Sequence, residues 1–176
     1  AATGSLGQGL SVAAGIALAA SKDEVDRKVY CILGDGEARE GQVTEALDFI
    51  IDHNITNVLP IFNCNGYGQA DATSSQQSPE RMVAKLQAIG FTVLDIDGHD
   101  PVAVLEAIDS FKAGSEQPMA IVAKTIKGWG APCLQGHGWH GKVATGTQLE
   151  QVREELGLTS MKLTSAISGD AVLRIE

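Results

Sequence analysis

A carboxylate between two glycines follows the first strongly apolar run of the sequence. Residues 28–33 (KVYCIL) form a continuous β-prone run, and residues 33–37 (LGDGE) come directly after it. Asp35 carries a hard oxygen ligand of the kind that Mg²⁺ prefers, and Gly36 can offer an unhindered backbone N–H to a phosphate oxygen. A strand followed by Gly-Asp-Gly is also a common tight turn. The motif alone therefore leaves both a metal site and a simple turn open.

A second polar turn, residues 63–67 (NCNGY), follows the next apolar run, residues 57–62. In a β-α-β unit the chain returns to the same edge of the sheet, so Asn65 is expected to face Asp35 across the crevice. The turn at Gly66 would present the backbone carbonyl of Tyr67 as a further oxygen ligand. An Asn-Gly pair alone is only a turn signal. Together, the two turns predict an anchor for a metal ion and a diphosphate.

These turns need a scaffold that brings the ends of several strands together. Apolar β-prone runs alternate with helical patterns, which predicts an α/β fold with a mostly parallel sheet and helices on both faces. Pro60 removes one hydrogen-bond donor from the second strand. The predicted strands are residues 28–33, 57–62, 91–96 and 119–125. The predicted helices are residues 9–20, 43–52, 79–89, 101–111 and 148–156.

The two ends of the chain suggest that it is part of a larger protein. The sequence opens at Ala1 without an initiator Met and runs straight into a glycine-rich segment. Residues 1–156 are predicted to form one α/β domain that is incomplete at its N-terminus. Residues 157–176 show no firm periodicity and are interpreted as a linker or tail. We therefore expect a fragment of a longer protein.

Composition and charge exclude several classes of partner. The 176 residues carry a net charge of −9, which argues against nucleic acid and anionic membranes because both attract basic surfaces. No apolar run approaches the roughly 18 residues needed to span a bilayer. The three cysteines form no CxxC pair, and an odd number of them fits a reducing compartment. A cytoplasmic location is the resulting prediction.

The arrangement of these motifs resembles the thiamine diphosphate fingerprint. Its usual form ends in two adjacent asparagines, whereas this chain has Cys64-Asn65 and keeps only the last, the family's metal ligand. The flanking segments resemble those of the transketolase family, in the family's order, over roughly residues 1–145. They are residues 3–10 (TGSLGQGL), 34–47 (GDGEAREGQVTEAL), 65–69 (NGYGQ), 97–100 (DGHD), 123–130 (AKTIKGWG) and 138–142 (GWHGK).

The resemblance implies a role for individual residues. The metal ligands for Mg²⁺, or for Ca²⁺ as a substitute, would be Asp35, Asn65 and the Tyr67 carbonyl. The remaining contacts to thiamine diphosphate would come from Gly4, Ser5, Leu6, Gly36, Asn65, Lys127 and His140. His140 would lie beside the thiazolium and the substrate, where its imidazole suits proton transfer. Glu40 and Glu45 match catalytic acids that meet a partner subunit, although solvated carboxylates stabilised by a helix dipole are the alternative.

Three other side chains invite a functional interpretation. His99 matches the family and is expected to order the loop before the helix at Pro101. Cys64 could serve as a redox group, but a buried free cysteine usually behaves as a small hydrophobic residue. His137 and His140 are three residues apart and could form a metal pair, yet no Cys or carboxylate cluster supports it.

The resemblance implies a transferase that moves a two-carbon ketol unit between sugar phosphates, as in the pentose phosphate pathway. This chain, as a fragment or as one subunit of a split enzyme, would supply the Mg²⁺–diphosphate half of the site. A pyrimidine-binding domain of the same or a second chain would complete it, in a homodimer or a heterotetramer. The isolated chain is therefore expected to be inactive. The alternatives are another thiamine enzyme, such as a deoxyxylulose-phosphate synthase or a 2-oxo acid dehydrogenase component, and an inactive interaction module of the same fold.

Overall fold

Four strands form one parallel sheet. The computed structural model describes residues 3–157, 163–165 and 173–175. The strands are β1 (Val29–Gly34), β2 (Val58–Cys64), β3 (Thr92–Asp97) and β4 (Met119–Lys124). They lie in the order β1-β2-β4-β3, and every neighbouring pair is parallel. The predicted strands and the parallel α/β fold are confirmed, with strand ends that differ by one or two residues.

Four helices connect and cover these strands: α1 (Gln8–Lys22), α2 (Gly41–Asp52), α3 (Pro79–Ile89) and α4 (Pro101–Ala113). The last two begin at a proline, as predicted, because proline fits the first helical turn, where its missing N–H has no partner to lose. Each is capped by the preceding side chain. Ser78 accepts a hydrogen bond from the Arg81 N–H, and Asp100 accepts one from the Val102 N–H.

The core lies on both faces of the sheet, because side chains of the central strands alternate in direction. In β2, Val58 and Phe62 pack with α1, α2 and α3, whereas Leu59 packs on the opposite face with Phe111 of α4. Strand β4 shows the same alternation. This arrangement confirms helices on both faces and leaves the carboxyl ends of the strands free for loops.

Pro60 marks where one ladder of the sheet begins. The residue pairs with Cys31 of β1, but the pairing of β2 with β4 starts one residue later, at Ile61. Proline has no backbone N–H to donate, which explains its position before the start of that ladder. A central strand therefore accommodates this proline at the position just before its second ladder starts.

The chain divides into two compact units, Ala1–Lys127 and Gly128–Glu176. The second contains helix α5 (Thr147–Glu155) and an antiparallel pair of short strands, β5 (Leu163–Ser165) and β6 (Leu173–Ile175). The rest of the linker or tail predicted at 157–176, beyond these strands and Gly157, lies outside the described residues, and the boundary after residue 156 stays a prediction. Within the described parts of the chain, no helix has the length and apolar character that crossing a membrane requires.

Candidate functional site

Asp35 joins the two turns that the sequence singled out. It follows the last residue of β1 and is only 1% exposed. Its Oδ1 accepts a hydrogen bond from the Gly36 N–H at 2.8 Å, and its Oδ2 accepts one from the Gly66 N–H at 2.6 Å. The ends of β1 and β2 are neighbours in the sheet, with Gly34 opposite Asn63. The carboxylate therefore ties the Gly-Asp-Gly turn to the Asn-Gly turn.

The burial of this carboxylate has an electrostatic consequence. Burial raises the pKa of Asp35, because the charged form loses its hydration, while N–H groups of Gly66, Gly36 and Asn65 act in the opposite direction. A cation bound to the carboxylate would replace part of the lost hydration. The site is therefore suited to a metal ion.

The turn after β2 is held in one conformation by its own hydrogen bonds. Asn65 Oδ1 accepts a hydrogen bond from the Tyr67 N–H at 2.9 Å, and Gly66 has a φ of 79°. A Cβ added to Gly36 would lie 3.1 Å from the Cα of Gly68. Because this distance is shorter than an ordinary carbon contact, a side chain at position 36 would push the two turns apart by a few tenths of an ångström.

Lys127 brings a positive charge to the same place. The residue follows the end of β4, and its Nζ lies 3.5 Å from the carbonyl oxygen of Gly68. The same Nζ is 5.8 Å from the centre of the Tyr67 ring. The ends of β1, β2 and β4 thus gather a carboxylate, an amide and an ammonium group at one edge of the sheet.

Glu37 is a site residue that the sequence analysis missed. Its Oε1 accepts a hydrogen bond from the Gly7 N–H at 2.9 Å, and its Oε2 accepts one from the Gly34 N–H at 3.1 Å. The side chain therefore joins the N-terminal glycine-rich loop to the Gly-Asp-Gly turn. The signal that could have revealed it is local: a carboxylate three residues after Gly34 can cap the turn that Gly34 begins.

The N-terminal loop itself is exposed at Gly4, Ser5 and Leu6. It borders a cavity of about 350 Å³ between α1 and the outer edge of β1. Glu37 also lines this cavity, so the carboxylate that holds the loop faces the same space. The other lining residues are Thr3, Leu6, Gly9, Val12, Ala13, Ile16, Val29, Tyr30, Cys31 and Ile32.

The three predicted catalytic residues are exposed, two at the start of α2 and one in the second unit. Glu40 and Glu45 are exposed at the start of α2, and Glu45 lines a shallow groove of about 300 Å³ between α1 and α2. His140 is exposed in the loop of the second unit that precedes α5. Among the described residues, no group of three or more His, Cys, Asp or Glu side chains is arranged to hold a metal ion, so the His137–His140 pair gains no further ligand.

Cys64 supports the turn from inside the core. The residue is buried, and burial raises the pKa of its thiol to about 12. A thiol that keeps its proton at neutral pH is a poor nucleophile and a poor metal ligand. Cys64 therefore acts here as a small hydrophobic residue at the end of β2.

The family model and the curated relatives that match this chain point to the same family. The sequence model described as transketolase, thiamine diphosphate binding domain, matches residues 1–170. Mouse transketolase is 38% identical over 157 residues, which are 88% of this chain and 25% of the relative. Bovine transketolase-like protein 2 is 38% identical over 143 residues, with 80% of this chain and 23% of the relative covered. The chain therefore spans about a quarter of the length of the curated relatives it matches.

Solved structures share the fold. The transketolase of Campylobacter jejuni superimposes with a TM-score of 0.79 at 33% identity, covering 88% of this chain and 26% of that one. A Pichia stipitis transketolase, solved in complex with sedoheptulose 7-phosphate, also reaches 0.79, at 27% identity and with 88% and 25% of the two chains covered. The motifs, the parallel sheet and these matches agree, and the chain belongs to the transketolase family, in the region of its thiamine diphosphate-binding domain.

Proposed function

We propose that this chain supplies the Mg²⁺–diphosphate half of a transketolase site. The observation that carries the proposal is the buried carboxylate of Asp35, which accepts hydrogen bonds from both turns at the carboxyl edge of the sheet. When bound, thiamine diphosphate supplies a nucleophilic carbon and stabilises the carbanion of the transferred two-carbon unit. The protein's contribution is to bind and orient this group.

The oxygen ligands present fit Mg²⁺. The proposed set is the Asp35 carboxylate, the Asn65 amide oxygen and the Tyr67 carbonyl, with phosphate oxygens and water completing the shell. Asn65 Oδ1 already accepts one hydrogen bond from the Tyr67 N–H, and its second lone pair is available to a cation. Ca²⁺ prefers the same hard ligands and could substitute. A single carboxylate with neutral oxygens is typical of Mg²⁺ bound together with a phosphate.

Lys127 and Gly36 are proposed to bind the diphosphate. The Lys127 ammonium lies beside the turn of Tyr67 and Gly68 and can neutralise phosphate charge there. Gly36 leaves its backbone close to the ligand because it has no side chain. The exposed loop of Gly4, Ser5 and Leu6 is proposed to line the aminopyrimidine and thiazolium rings. The Glu37 carboxylate fixes that loop relative to the diphosphate end.

The proposed catalytic residues would act only in a site that a pyrimidine-binding domain completes. We assign His140 to hydrogen bonding or proton transfer near the substrate, for which an exposed imidazole is suited. Glu40 and Glu45 are exposed and are proposed to meet a pyrimidine-binding domain of the same or a second chain, in a homodimer or heterotetramer. Sugar phosphates are the proposed substrates, in the cytoplasmic pentose phosphate pathway. Sedoheptulose 7-phosphate, bound by the Pichia stipitis relative, belongs to this class.

Titration calorimetry of this chain with pyrophosphate and Mg²⁺ tests the proposal, because pyrophosphate needs only the diphosphate half of the site. Asp35→Asn and Asn65→Ala are each expected to weaken Mg²⁺-dependent binding by about tenfold or more, the equivalent of about 1.4 kcal/mol. Asp48→Asn, which changes an exposed carboxylate of α2, is the matched control.

Equal affinity in wild type and both variants would remove Asp35 and Asn65 from the metal shell. Circular dichroism and urea unfolding establish that each variant is folded. The isolated chain is expected to show no ketol transfer from xylulose 5-phosphate to ribose 5-phosphate. Turnover by this chain alone would contradict the need for a pyrimidine-binding domain.

A further inference from the structure

The loop after β3 is bonded to the segment that carries Lys127. His99 Nε2 accepts a hydrogen bond from the Ile126 N–H at 2.8 Å, across 27 residues of sequence. One residue earlier, the Gly98 N–H donates to the Lys124 carbonyl at 2.8 Å. The imidazole thus holds the backbone immediately before Lys127.

The other side of the same segment is bonded to β2. The Thr125 hydroxyl donates to Asn63 Oδ1, and the Thr125 N–H donates to the Cys64 carbonyl at 3.1 Å. A Cβ added to Gly98 would lie 2.5 Å from Thr125 Cγ2, so the loop after β3 packs tightly against this segment. Residues 125 and 126 are therefore fixed from two directions, by the ends of β2 and β3.

Side-chain burial does not provide this restraint at Ile126. The Ile126 side chain is 51% exposed, so hydrophobic packing holds it only weakly and the bond to His99 is its specific anchor. Lysine has a flexible four-carbon stem, and a fixed backbone reduces the number of positions that its ammonium group can occupy. Fixing a binding group in advance improves affinity because less conformational entropy is lost on binding.

We propose that His99 is a positioning residue, which holds the Ile126 backbone so that the Lys127 ammonium is directed at the diphosphate. This inference rests on the proposed function, since it assigns His99 a role toward the same ligand. His99 makes no contact with the ligand in this scheme. Its whole effect on binding passes through Lys127.

A double-mutant cycle tests whether the effect of His99 passes through Lys127. The variants are His99→Ala, Lys127→Ala and the double variant, with the Kd of pyrophosphate measured calorimetrically in the presence of Mg²⁺. We expect Lys127→Ala to weaken binding by about tenfold and His99→Ala by about threefold to tenfold. The double variant should bind like Lys127→Ala alone.

Two further variants separate positioning from general structure. His99→Gln keeps an oxygen that can accept from the Ile126 N–H, and its affinity should stay within about twofold of wild type. His53→Ala removes an exposed imidazole at the end of α2 and should leave the Kd unchanged. Hydrogen exchange at the Ile126 amide should accelerate in His99→Ala and remain slow in His99→Gln.

The outcomes are distinct. If the losses from His99→Ala and Lys127→Ala add in full, His99 does not act through Lys127 and the inference is wrong. The inference also fails if the wild type binds, Lys127→Ala weakens binding and His99→Ala does not. Absence of pyrophosphate binding by the wild-type chain overturns the proposed function itself, and with it any role of His99 toward the diphosphate.

Discussion

Replacing Glu37 by glutamine tests how the N-terminal loop is held. In the native structure, each carboxylate oxygen accepts one backbone hydrogen bond, from Gly7 at 2.9 Å and from Gly34 at 3.1 Å. A glutamine amide has almost the same shape, but it presents one oxygen and one NH₂ group. Whichever way the amide is turned, one backbone N–H then faces another donor.

The loss of one hydrogen-bond acceptor sets the free-energy cost of this substitution. Gly7 is buried, and leaving a buried donor without an acceptor costs about 1 to 3 kcal/mol, so Glu37→Gln should lower the free energy of unfolding by about 2 kcal/mol. For a chain of this length, that corresponds to a fall in Tm of about 4 to 8 °C. Hydrogen exchange at the Gly7 or Gly34 amide should become faster, which identifies the donor that lost its acceptor.

Urea unfolding followed by circular dichroism measures the change in the free energy of unfolding. The control is Glu106→Gln, a change at an exposed position of α4 that alters the charge identically. If Glu37→Gln is no more destabilising than Glu106→Gln, and both amides exchange as in wild type, the reasoning is refuted. The Glu37 carboxylate would then not hold the loop in solution.

Two other predictions concern packing and pH. Gly98→Ala should lower the free energy of unfolding by about 1 to 3 kcal/mol in urea, because its Cβ would lie 2.5 Å from Thr125 Cγ2. Gly15→Ala in α1, where the added Cβ meets no atom within 4 Å, should instead raise it by about 0.5 to 1 kcal/mol, and equal effects would contradict the packing. Burial, and secondarily the charge of Glu37, raises the pKa of the Cys31 thiol, so the unfolded chain loses this proton at lower pH than the folded chain. The stability that the protonated Cys31 thiol contributes is therefore complete below its pKa in the unfolded chain, about 8.5, and is lost as pH rises through its higher pKa in the folded chain. Cys31→Val should therefore flatten the fall in the free energy of unfolding from pH 8 to 10. If the dependence of the free energy of unfolding on pH is the same in Cys31→Val and in wild type, burial does not raise the pKa of this thiol.

Much of the scaffold was predictable because its signals are local. Continuous apolar runs identified all four strands of the sheet, and prolines at positions 79 and 101 identified the starts of α3 and α4. The glycines around Asp35 and after Asn65 likewise marked the turns where strands end. These patterns depend on backbone conformations that neighbouring residues impose, so they can be recognised without knowing the tertiary structure.

The partners of the loops were not predictable in the same way. Glu37 bonds to Gly7 and His99 bonds to Ile126, 30 and 27 residues apart, and no local periodicity encodes either pair. The His99–Ile126 pair arises because β4 lies between β2 and β3, which places the segment before Lys127 between the ends of both strands. Sequence alone determined the family, the elements and the residue types that suit Mg²⁺ and diphosphate. Only the tertiary structure decided which loops hold those residues in place, because that depends on how elements distant in the sequence lie next to one another in the fold.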